Sequence, residues 1–146
     1  MDSLDAIQAL TLDALHAALA VHCQGWQPLT DLRQQARTGC THRAPDGCLS
    51  RVPDYAEDWG LTMPLANAAH MTRRWEPLIE RQEDGRFVRH TGAWNWVYHV
   101  YAPDGCDGRA LHVPADADDT THRRRICELA LWQTWQRGEE EEKPCI

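Results

Sequence analysis

The sequence predicts an α+β fold, with an antiparallel sheet of about four strands packed between α-helices as an α-β-α sandwich. Three observations carry this. Residues 3–22 place Leu4, Ile7, Leu10, Leu12, Leu15, Leu19 and Val21 near helical spacing, with alanines between them. Trp94 to Tyr101 reads Trp-Asn-Trp-Val-Tyr-His-Val-Tyr, an uncharged aromatic and β-branched run with no Gly or Pro, which is a strand. Helical periodicity then returns before Arg137, with Ile126, Cys127, Ala130, Leu131 and Trp135 on one stripe. Helices, then strands, then a helix is not the alternation of a doubly wound fold.

Each element has a local reason. Ser3 is placed to cap the first helix and Gly25 to end it. A short second helix is expected over Thr30 to Arg37. Gly39 to Val52 reads as a loop, or as a small hairpin around Pro45-Asp46-Gly47. A helix is expected over about 56–72, with Pro64 as a kink or split point. Trp75 to Arg81 reads as a strand interrupted by Pro77, Asp84-Gly85 as a turn, and Arg86 to His90 as a further strand. Thr91-Gly92 is tight enough for a hairpin leading into Trp94–Tyr101. Within that strand, Trp94, Trp96, Tyr98 and Val100 alternate with Asn95, Val97, His99 and Tyr101. Both sets contain apolar bulk, so the strand is expected to be central and covered on both sides. Pro103-Asp104-Gly105 is a turn, Arg109 to Val113 a strand, and Asp118 or Thr120 caps the last helix. Ala-Pro-Asp-Gly-Cys occurs at 44–48 and again at 102–106, which implies reuse of one turn chemistry. The chain divides into a single domain, 1–137, and an acidic flexible tail, 138–146.

Composition excludes several classes. The 146 residues suffice for a core without metal or disulfide support. A net charge of −7 argues against general nucleic-acid binding, although Arg73-Arg74 and Arg123-Arg124-Arg125 are local basic clusters. No apolar run approaches a membrane span, and the acidic N-terminus is unlike a secretory signal. The expected location is therefore cytoplasmic, with the six cysteines reduced. The seven tryptophans are the unusual feature, since tryptophan builds cores and also dominates protein–protein hot spots.

Few residues suggest catalysis. Ser3 and Ser50 are the only serines, and neither lies in a Gly-x-Ser-x-Gly elbow. Glycine-rich phosphate loops and the deaminase signature are absent. Cys40, His42 and Cys48 offer three zinc-type ligands, with Cys106, Cys23 or His22 as a fourth, but the spacing fits no common zinc pattern. His99 and His112 fall on neighbouring strands, close enough to be considered as a pair. Cys127 lies in an apolar stripe and reads as core. No metal, cofactor or catalytic residue is expected.

Several ordered fragments carry a resemblance. A first helix runs into Gly25-Trp26, a Pro-Asp-Gly turn follows, and then comes Pro53-Asp54-Tyr55-Ala56-Glu57-Asp58. The tryptophan strand is next, and Ile126-Cys127-Glu128-Leu129-Ala130-Leu131 closes the series. In these the chain resembles the phage ABA-sandwich domain family of small phage and prophage proteins, departing from it at Ala56, where the family has Ser. The resemblance implies a sheet between helices and a mobile-element setting, and it brings no activity or site residue. With the small size, acidity and tryptophan content, it leads to an expected function. That function is a phage- or prophage-encoded binding protein inhibiting a bacterial defence system, of anti-CRISPR or antirestriction type, by protein–protein contact. The expected partner is a host defence protein complex in the host cytoplasm, without membrane or nucleic-acid contact. Expected contact residues are Trp26, Trp59 and Trp75, at element ends, and the acidic Asp116, Asp118 and Asp119. The alternatives are a protein that sequesters a small molecule or nucleotide, using Arg73, Arg74 or Arg123 to Arg125, or a His/Cys-dependent enzyme.

Overall fold

The computed structural model describes residues 3–139, apart from the side chains of 78–81, 87–92 and 136–139. The N-terminal helical pattern is two helices rather than one, α1 (Ser3–Gln8) and α2 (Leu12–Gln24). Thr11 divides them. Its backbone is extended and its hydroxyl accepts the Ala14 N–H, so it caps a new helix instead of continuing the old one. The apolar spacing survives the break, because Leu4, Ile7, Leu15 and Leu19 are all buried. Gly25 ends α2 as expected, at φ 76°, with its N–H bonded to the Ala20 carbonyl.

A small antiparallel sheet follows, made of β1 (Gln27–Pro28), β2 (His42–Arg43) and β3 (Leu49–Ser50). Helix α3 (Leu32–Thr38) is inserted between β1 and β2, capped by Asp31 and ended by Gly39 at φ 70°. The hairpin between β2 and β3 turns on Pro45-Asp46-Gly47. Its bonds, Gly47 N–H to Ala44 O and Cys48 N–H to Asp46 Oδ1, recur as Gly105 N–H to Ala102 O and Cys106 N–H to Asp104 Oδ1. The two Ala-Pro-Asp-Gly-Cys segments are thus the same turn used twice.

Helix α4 (Trp59–Ala68) is shorter than the 56–72 expected. Asp58 is extended and caps it by accepting the Gly60 N–H, and Pro64 lies inside it. Beyond it the main sheet forms from β4 (Thr72–Arg81), β5 (Phe87–Tyr101) and β6 (Gly108–Pro114), in that spatial order and antiparallel throughout. The fold is α+β, with two three-stranded sheets in place of one sheet of about four strands. The difference arises at Thr91-Gly92. No hairpin forms there, because β4 is long enough to pair with both halves of β5, and a register shift between Pro77 and Ile79 takes up the irregularity.

The Trp94–Tyr101 segment is interior, as predicted, with β4 on one side and β6 on the other, but the expected cover on both faces is corrected, because helix covers one face only. Its two faces differ. Tyr98 and Val100, with Val113 of β6, join the main core. On the opposite face Thr72, Arg74, Tyr101, Ala110, His112 and Pro114 are exposed. Asn95 and Val97 are buried there, Val97 lying between its cross-strand neighbours Arg74 and His112.

Helix α5 (Asp119–Glu139) is the centre of the molecule, packing against α1, α2, α4, β5 and β6. The layer order is sheet, α5, then α1 and α2, so α5 is the element covered on both sides. Cys127, Glu128, Leu129, Leu131 and Trp132 have no exposed surface. Glu128 is charged and buried, so its oxygens require partners. Arg124 Nε reaches one at 3.2 Å and Arg125 Nη1 the other at 2.7 Å. The Arg124 Nη2 also donates to the Leu10 carbonyl at 2.7 Å, in the link between α1 and α2. Residues 140–146, most of the expected acidic tail, lie outside the described residues.

Replacing Glu128 with alanine leaves two partly buried arginines without their shared anion. The expected loss is about 3 kcal/mol of folding free energy, read from urea denaturation. A loss below about 1 kcal/mol contradicts the role given to this carboxylate.

Candidate functional site

The register of the main sheet gathers three of the seven tryptophans. Trp75 of β4 lies opposite Trp96 of β5, and Pro77 opposite Trp94, so Trp75, Trp94 and Trp96 share one face. The Trp75 and Trp94 rings stack at 5.9 Å and 10°, and Trp75 meets Trp96 at 4.7 Å and 53°. Burial declines along this face of β5. Val100 and Tyr98 are in the core, Trp96 is half-buried, and Trp94 is 43% exposed beside Trp75 at 44%. The result is an indole surface in water, continuous with the core. The Arg73 guanidinium lies over Trp96, 4.4 Å from the ring centre, and gives the surface one cation.

A pocket of about 220 Å³ adjoins Arg73, lined among others by Trp59, Met63, Met71, Tyr98 and Ile126. A polar relay lies at its edge. The Tyr98 hydroxyl and His122 Nδ1 share a buried hydrogen bond of 2.7 Å. Burial raises the Tyr98 pKa, while the nearby Arg73 cation opposes the shift. Arg123 flanks the pocket, its Nε bonded to the Ala56 carbonyl and its guanidinium 5.4 Å from the Trp59 ring centre.

The predicted contact residues are dispersed among these features. Trp75 is in the indole cluster. Trp59 is half-buried and lines the pocket. Trp26 is half-buried against the core at the end of α2 and belongs to neither. Asp116 is exposed. Asp118 accepts the Thr121 backbone N–H and hydroxyl, bonds that hold its carboxyl below its usual range and make it a cap for α5. Asp119 is exposed and acts electrostatically on both His122 and Tyr98. Sequence reasoning missed Trp94 and Trp96 as parts of the site, and named Arg73 only as a phosphate ligand for the alternative function. Their grouping follows from strand register, and the uninterrupted alternation of β5 gave no sign of where helix cover ends.

The other candidates do not assemble. Among the described residues no three His, Cys, Asp or Glu side chains could hold a metal ion. His42 Nδ1 bonds the Thr41 hydroxyl at 2.7 Å. His99 pairs with Ala110 and His112 with Val97, so the two histidines are diagonal rather than opposed. His112 Nδ1 is taken by Asn95 at 2.9 Å, and His99 packs on Tyr101. Burial pushes the Cys127 thiol up to about 12, which removes it as a thiolate nucleophile. The expectation of six reduced cysteines is corrected at Cys106, which is disulfide-bonded, while Cys23, Cys40, Cys48 and Cys127 are free. No helix among the described residues is long and apolar enough to cross a membrane. The chain matches no protein-family model, no curated protein and no solved structure.

Two buried histidines give a pH dependence. Burial holds His16 below its ordinary 6.5, assisted by Arg124 and opposed by Asp54, Glu57 and Asp13. Burial likewise lowers His122, assisted by Arg73 and opposed by Asp119 and Asp118. The unfolded chain therefore takes up these protons first. Stability is full above about pH 6.5 and declines as pH falls through the native values. The melting midpoint should drop between about pH 7.5 and about pH 5.5, and His122→Gln should reduce the drop. A midpoint constant across that interval contradicts the assignment.

Proposed function

We propose that this chain is a small binding protein that works by protein–protein contact through the Trp75–Trp94–Trp96 surface. The observation that carries the reading is two stacked indoles, each more than two-fifths exposed, on the open end of a sheet face whose other end is core. Large rings held rigid in water have little entropy left to lose on binding, and tryptophan is enriched at hot spots. Arg73 over Trp96 adds a directional cation to an otherwise acidic chain. The resemblance to the phage ABA-sandwich domain family supplies the setting. In it the partner is a host defence complex, bound in the host cytoplasm, and the chain is an inhibitor of anti-CRISPR or antirestriction type. Asp116 and Asp119 speed encounter with a basic groove on that partner.

A second reading has its own support. The pocket of about 220 Å³, between Trp59 and Arg73, has the aromatic wall and the cation that sequestration of a small planar anion requires. The enzyme alternative has less support: Cys40 and His16 both line a cavity of about 400 Å³, but among the described residues no hydrogen bond joins the thiol to the imidazole.

The experiment is a pulldown from bacteria carrying a defined defence complex, comparing the native chain with Trp75→Ala and Trp94→Ala. The native chain should retain the complex at stoichiometry, and each variant should weaken binding about thirtyfold, equivalent to about 2 kcal/mol. Replacing Cys40, Cys48, His99 or His112 should leave binding within about twofold. A small molecule released on heating, with no retained complex, would favour the pocket reading. Abolished activity in a folded variant of one of those four residues would favour an enzyme.

A further inference from the structure

A second cavity, of about 400 Å³, opens between α2 and the chain on either side of the β2–β3 hairpin. Asp13, His16, Thr41, Arg51 and Asp54 give it a polar lining, and its size falls within the range of small-molecule sites. It shares no lining residue with the Trp59–Arg73 pocket. His16 is only 3% exposed. Its Nε2 accepts the Ala56 N–H at 3.1 Å. A backbone N–H can only donate, so Nε2 holds the lone pair and the neutral ring carries its proton on Nδ1. That Nδ1 is buried and has no hydrogen-bond partner. The Asp54 carboxylate, another lining group, lies 3.5 Å away, beyond ordinary hydrogen-bond length. Two further lining side chains, Arg51 and Asp13, are charged and exposed.

The mixture of charges selects the ligand. A metal ion needs a lone pair on Nδ1, which this tautomer does not offer. A simple anion would face Asp13 and Asp54, and a simple cation would face Arg51 and the Nδ1–H. A molecule bearing both charges satisfies every group at once. We propose that this cavity binds a small zwitterion of the α-amino-acid class. Its carboxylate accepts from His16 Nδ1–H and Arg51, and its ammonium donates to Asp54 and Asp13.

The test is an NMR titration of the ¹⁵N-labelled full chain with individual free amino acids, following the Ala17 and Ala56 amides. Acetate, methylamine, inorganic phosphate and Zn²⁺ serve as single-charge probes. At least one amino acid should give saturable shifts, with acetate and methylamine binding about tenfold more weakly or worse. Arg51→Ala and Asp13→Asn alter exposed side chains, so the fold is retained, and each should weaken binding about tenfold. The assignment is overturned by any of three results. One is the absence of saturable shifts with every amino acid up to about 10 mM. Another is phosphate, acetate or Zn²⁺ binding as tightly as the best amino acid. The third is an affinity indifferent to Arg51→Ala.

Discussion

The Glu128 carboxylate has no contact with water, yet both of its oxygens are occupied by arginines from its own helix. That local triad allows a charged residue at the most buried level of α5, and it also reaches outward. The second nitrogen of Arg124 fastens the link between α1 and α2 through the Leu10 carbonyl. A carbonyl in the link between two helices lacks a helical partner, and here the ion network of another helix supplies one. The position of α1 and α2 against α5 thus has a polar specification in addition to the packing of Leu15, Leu19, Leu131 and Trp132. The sheet takes the other side of the same helix, so every major element is placed with respect to α5.

Where periodicity was strong, the sequence was readable. The closing helix, the interior strand, Gly25 as a terminator and the twice-used Ala-Pro-Asp-Gly-Cys turn all follow from local rules. The failures are equally local. Thr11 looked like one more helical residue, because spacing alone does not reveal that a hydroxyl will turn back to cap. Thr91-Gly92 had hairpin composition, but the length of β4 decided the pairing, and that is a relation between distant segments. The candidate site was the least legible part. The grouping of Trp75, Trp94 and Trp96 depends on register and on how far a helix extends over a sheet, which one-dimensional patterns do not encode.

The arginine clusters show how tertiary structure redistributes apparent function. In the sequence, Arg123-Arg124-Arg125 looks like a phosphate site. In the fold Arg124 and Arg125 serve Glu128, and Arg123 bonds the Ala56 carbonyl above Trp59. Arg73 alone of the two clusters faces the aromatic surface, while its neighbour Arg74 points to the other side of the sheet and pairs with Glu76. A strand separates adjacent residues by face, and a helix turns its interior arginines into internal ligands. Basic composition is therefore a weak guide here to where an anion binds.

The central position of α5 has a consequence for how the molecule comes to be made. It is the last of the described elements along the chain, and α1, α2, α4 and the main sheet all require it to bury their apolar faces. During synthesis each of these is produced before the surface that will cover it, and α1 waits through more than a hundred residues for its partner. Contacts of such sequence separation close slowly, and the intervening state presents the leucines of α2 and the aromatic strand to other chains. Completion on the ribosome is thereby tied to emergence of the final helix. A chain cut short before Ile126 would retain most of its secondary-structure signals and lack the one element around which they pack.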